Sequence, residues 1–165
     1  ASTLLESDLN YWKNRNRSVI GESNIEEAAD MQGAVFEYIA SNLDKQSLED
    51  RISKNKSASW FSHIWIPNLD EVVTDEKLNY TPLPYFKDLT SPLLIIEGGQ
   101  DQVIPNSSLE KIQDSIGGKA NKKNTYLRID GADHSMMSRE NPDFSYWSSL
   151  HPDYLKTVFK WVGQF

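Results

Sequence analysis

Four consecutive aliphatic residues, Leu93, Leu94, Ile95 and Ile96, stand between Pro92 and the stretch Glu97, Gly98, Gly99, Gln100, Asp101. A run of this kind predicts a strand buried on both faces, because a half-exposed strand would alternate with polar residues. The two glycines can take backbone angles closed to other residues, so the chain can turn sharply and leave Asp101 at the rim of a sheet. Parallel sheets place their chemistry at that rim. Ser107 with Glu110 fits a capping box, and Leu109, Ile112 and Ile116 follow at helical spacing, which predicts a helix directly after the loop. The unit is strand, acidic loop, helix.

A second unit of the same form follows. Thr125 to Ile129 reads as a shorter strand, ended by Asp130 and Gly131 and followed by a polar loop with Asp133 and His134. From Pro152 a terminal helix is expected, with Leu155, Val158, Phe159 and Val162 on one face. Strand, helix, strand, helix predicts parallel strands with helices packed against the sheet. Gly117 and Gly118 supply a helix stop between the two units.

The first half reads as helical. Leu4, Leu5, Leu9, Tyr11 and Trp12 can share a face up to about Ser18, and Ser23 with Glu26 suggests a capped helix to about Asn42 carrying Ile25, Ala28, Ala29, Val35 and Ile39. Ser47 can cap a shorter helix containing Leu48 and Ile52. The block Trp60, Phe61, Ile64, Trp65, Ile66 is the most aromatic in the chain and suits a packed core helix or a docking surface. Pro82 and Pro84 exclude regular helix or central strand and mark a linker. The expected division is 1–79 and 80–165.

Composition narrows the function classes. The chain has 165 residues, about one domain's length, and 38% hydrophobic content, enough for a folded core. Without cysteine it has no disulfide, thiolate metal site or cysteine nucleophile. A net charge of −7 disfavours nucleic acid, and Lys122 with Lys123 is too short a basic run to reverse that. No apolar run approaches the roughly 20 residues of a membrane-spanning helix. A catalytic zinc site lacks its motif, and no cofactor is expected.

Asp101 and His134 occupy equivalent positions, each in a glycine-containing loop past a predicted strand, so adjacent parallel strands would bring them together. A carboxylate on one imidazole nitrogen fixes the tautomer and stabilises the imidazolium formed when the other nitrogen takes a proton. The same spacing is met by an acidic turn residue and a surface histidine. Asp130 and Asp133 read as turn residues, and His63 and His151 as structural or solvent-facing.

These loops resemble the C-terminal portion of the α/β-hydrolase family. The Gly-x-x-Asp-x-x-x-Pro pattern is matched by Gly98, Asp101 and Pro105, and Gly-x-x-His by Gly131 and His134. The resemblance covers about residues 80–165 and implies an α/β fold: the C-terminal part of a hydrolase sheet, parallel strands with flanking helices, preceded by a mainly helical cap over residues 1–79. It implies Asp101 as triad acid and His134 as triad base of an acyl hydrolase acting on a small-molecule ester, thioester or amide. The family's Gly-x-Ser-x-Gly nucleophile turn is missing. Gly21, Glu22, Ser23 begin like it, but Ile25 stands where the second glycine belongs, and Ser23 reads as a helix cap. The serine is therefore expected from an upstream segment, and the partner is the missing N-terminal half or a second copy of the chain. The alternative is a non-catalytic α/β interaction module that pairs with another chain through its aromatic surface.

Overall fold

The computed structural model describes residues 2–116, 124–138 and 150–165. Two compact units divide the chain, Ser2–Thr81 and Pro82–Phe165.

The first unit is helical: α1 (Leu4–Ile20), α2 (Ile25–Ile39) and α3 (Lys45–Asn55), followed by single 3-10 turns at Phe61–His63 and Glu76–Asn79. Thr3 and Glu6 form a capping box at α1, the Thr3 hydroxyl accepting from the Glu6 N–H at 3.0 Å and the Glu6 carboxylate from the Thr3 N–H at 2.8 Å. The box expected at Ser23 is absent. Ser23 lies exposed in a turn, and α2 starts after Asn24 with no side-chain cap. At α3 the capping residue is Asp44, which accepts from the backbone N–H of Ser47, so Ser47 lies inside the helix rather than before it. Helix α2 is the centre of the unit, with Ile25, Ala28, Met31, Ala34 and Val35 buried against Ile20, Leu48 and Trp60. Gln32, fully buried among them, donates to the Trp65 carbonyl at 3.2 Å and accepts from the Trp65 N–H at 2.8 Å. The aromatic block is no helix beyond its 3-10 turn. Trp60 is in the core, Phe61, Ile64 and Ile66 pack on it, and Trp65 is exposed.

The second unit contains α4 (Leu83–Phe86), β1 (Leu94–Gly98), α5 (Ser108–Ser115), β2 (Thr125–Ile129) and α6 (Pro152–Val162). The prolines expected to exclude helix instead start one, since Pro82 precedes the first turn of α4 and Pro84 lies within it, where no intrahelical donor is needed. The Ser115 hydroxyl donates to the Leu83 carbonyl at 2.8 Å and ties α5 to α4. Ser107 precedes α5 without a side-chain cap bond. Strands β1 and β2 pair in parallel, Leu94 opposite Thr125 through Gly98 opposite Ile129.

The expected α/β-hydrolase sheet is not present among the described residues. The described residues hold one sheet of two strands, and most of their regular structure is helical. Leu94, Ile95 and Ile96 are half-buried rather than buried on both faces, because β1 pairs along one edge only among the described residues. A strand, loop and helix pattern specifies a local crossover unit, and that unit closes with two strands as readily as with a large sheet. Helix α6 forms as expected; of its apolar stripe Leu155 and Val158 are half-buried, while Phe159 is 72% and Val162 57% exposed. The glycine stop at Gly117 and Gly118, the pair Lys122 and Lys123, and most of the segment between Ser138 and His151 lie outside the described residues.

Candidate functional site

The parallel register sets the acid and histidine loops side by side at the carboxyl ends of β1 and β2. Three backbone features clamp them together. The Gly99 N–H donates to the Ile129 carbonyl and the Gln100 N–H to the Ala132 carbonyl, both at 2.8 Å. A Cβ on Gly98 would lie 2.6 Å from the Ala132 carbonyl oxygen and closer still to that of Asp133, so only glycine lets the loops approach this far. Gly131 adopts φ 85°, the left-handed geometry that turns the chain out of β2 toward His134.

Asp101 is the anchor of the site. One carboxylate oxygen accepts from the Val103 N–H at 2.8 Å and the Ile104 N–H at 3.0 Å. The other meets Nδ1 of His134 at 3.0 Å. The Asp101 side chain is 6% exposed and that of His134 52%, so a sheltered carboxylate holds an accessible imidazole. Because a carboxylate only accepts, Nδ1 donates in this contact and Nε2 is the nitrogen left for proton exchange. Asp133 fixes the histidine loop from behind, its carboxylate accepting from the N–H groups of Ser135 and Met137. That is a turn role. Met136 takes φ 59°, uncommon for a side-chain-bearing residue, two positions after the histidine.

A cavity of about 180 Å³ opens beside the pair, lined by Ile95, Ile96, Glu97, Asp101, Ile104, Ser108, Leu109, Ile112, His134 and Met136. In the sequence Glu97 reads only as the polar end of a strand. In the structure its side chain is 9% exposed and sits 3.6 Å from the Arg128 guanidinium, the cross-strand neighbour. Burial pushes its carboxyl above the ordinary value of 4.5, Arg128 opposes this, and Asp101 and Glu110 add to the rise. The signal that could have found it is the charged residue opposite a charged residue, Glu97 with Arg128, at the ends of two apolar strands.

The other sequence candidates lie elsewhere. His63 is exposed on its 3-10 turn. His151 caps α6, Nδ1 accepting from the Asp153 N–H at 3.3 Å. Asp130 is exposed 4.0 Å from Arg128. Among the described residues no three His, Cys, Asp or Glu side chains are placed to hold a metal ion, and no helix is long and apolar enough to cross a membrane.

The chain matches no family model, no curated protein and no solved structure. Its own geometry therefore carries the functional reading.

Proposed function

We propose that Asp101 and His134 are the acid and base of a Ser-His-Asp acyl hydrolase, with the serine supplied by an upstream segment of polypeptide. The observation that carries this reading is the 3.0 Å contact between a buried carboxylate and Nδ1 of a half-exposed imidazole. The Gly-x-x-Asp and Gly-x-x-His loops, which resemble those of α/β-hydrolases, support it; the two-stranded sheet adds nothing to it.

In this reaction the serine oxygen attacks the carbonyl carbon of an ester, thioester or amide while His134 takes the hydroxyl proton on Nε2. Asp101 stabilises the imidazolium that forms. The bond to the leaving oxygen, sulfur or nitrogen then breaks, and His134 gives its proton to the departing atom. Water repeats the sequence on the acyl-serine and releases the acid. Nothing in this cycle needs a metal or an organic cofactor.

The test is treatment of the protein from its source with a serine-directed fluorophosphonate, followed by intact-mass analysis and mapping of the labelled peptide. A single probe on an upstream serine, lost in His134→Ala, is the expected result. No labelling, or a label on Ser23 or Ser108, overturns the assignment. The other sequence reading, a module that docks through Trp60 to Trp65, is left with one well-exposed ring of that block, Trp65.

A further inference from the structure

Glu97 stands apart from the other ionisable groups of the cavity. Asp101 has a partner on each oxygen, and His134 is committed to Asp101. Glu97 is nine-tenths buried, yet among the described residues its carboxylate accepts no hydrogen bond; Arg128, at 3.6 Å, is an ion-pair neighbour only. That guanidinium is itself shared, donating to the Gly99 carbonyl at 3.2 Å and lying 4.0 Å from Asp130. Among the described residues no fully buried side-chain oxygen lacks a hydrogen-bond partner, so the Glu97 oxygens, which accept none, keep contact with accessible space rather than being sealed off. The cavity that Glu97 lines is a route by which a ligand's donor can reach it.

We propose that this cavity binds an aliphatic chain ending in a primary ammonium group, with Glu97 receiving the ammonium. The charge around Glu97 sets the sign: Asp101 from the loop after β1 and Glu110 from α5 are negative, and Arg128 from β2 is the cation that faces it, with His134 held by Asp101. A carboxylate or phosphate ligand would meet net repulsion, and an alcohol would supply a donor without the charge. Most of the wall is apolar, with Ile96, Ile112 and Met136 among its residues and Asp101, Ser108 and His134 as its other polar ones, and a cavity of about 180 Å³ suits a short aliphatic chain. Burial, followed by Asp101 and Glu110, already holds the Glu97 carboxyl above its ordinary range, and a bound cation would relieve that. The proposal deepens the acyl-transfer reading by naming its substrate class: amine-bearing aliphatic esters, thioesters or amides.

The test is a nuclear magnetic resonance titration of the whole chain, isotopically labelled at Ile and Met methyls, with n-pentylammonium, 1-pentanol and pentanoate in parallel. The ammonium compound should shift the Ile96, Ile112 and Met136 methyls and bind at least about fivefold more tightly than the alcohol, with no saturable shift from pentanoate. Glu97→Gln should bring ammonium and alcohol to equal affinity. Should that variant not fold, Arg128→Gln decides, because removal of the competing cation should tighten ammonium binding. Equal affinity for ammonium and alcohol in the wild type, an ammonium preference that survives Glu97→Gln, saturable pentanoate binding, or no gain in Arg128→Gln overturns the proposal. No turnover enters this measurement, so it fails or succeeds separately from the fluorophosphonate labelling.

Discussion

The two oxygens of Asp101 have separate duties, one to the backbone of its own loop and one to His134, and substitutions can separate them. Asp101→Asn keeps an oxygen for the Val103 and Ile104 N–H groups but can present an amide donor to Nδ1, which favours the wrong imidazole tautomer. If the proposed acyl-transfer reading holds, turnover should fall by about 10⁴-fold, as in Ser-His-Asp triads, with an unchanged urea midpoint. Asp101→Ala removes both duties and should also lower stability by about 1–2 kcal/mol, read from the same urea curves. Glu97 has the opposite relation to stability. Its carboxyl is held above 4.5 when folded, so the folded state takes up the proton more readily than the unfolded one. Stability from this group is therefore greatest below 4.5 and declines as pH rises through the raised value. Glu97→Gln should flatten that part of the profile; denaturation midpoints compared at about pH 4 and about pH 7 should differ less than in the wild type.

Among the elements, the turn at the end of β1 does most to set the site. Gly98→Ala would drive a methyl into the carbonyls of Ala132 and Asp133, and the loops would have to part. A cost of about 2–3 kcal/mol in chemical denaturation, with loss of the His134 to Asp101 contact in imidazole resonances, is the expected outcome. In the helical unit, Gln32→Leu would leave the Trp65 N–H and carbonyl without their partner and should cost about 1–2 kcal/mol by tryptophan-monitored unfolding. These elements differ in how far the sequence discloses them. The strand from Thr125 to Ile129 and the helix from Pro152 were legible because period and turn chemistry are local. So was the meeting of Asp101 and His134, since each follows a strand by the same glycine-marked route. Glu97 was not legible: whether a strand-end carboxylate is buried depends on what packs over it. The number of strands was equally hidden, because Leu93 to Ile96 looks the same in a two-stranded sheet as in a central strand.

For the molecule as a whole, the distribution of core is uneven. The buried cluster around Ile25, Val35, Leu48 and Trp60 lies wholly within Ser2–Thr81, whereas the described part of Pro82–Phe165 buries Ile129 and Ala132 as its fully sheltered apolar residues. A fragment spanning residues 2–81 should fold by itself, with helical circular dichroism and a cooperative melt; a non-cooperative melt would show that its core needs the rest of the chain. The exposed end of the α6 stripe has a practical side. Phe159, Val162 and the terminal Phe165, which packs edge-on against Trp161 with ring centres 5.1 Å apart, present oily surface to the solvent. In concentrated ammonium sulfate, which strengthens apolar contact, this end of the molecule should govern retention on a phenyl column, and Phe159→Ser with Val162→Ser should elute markedly earlier.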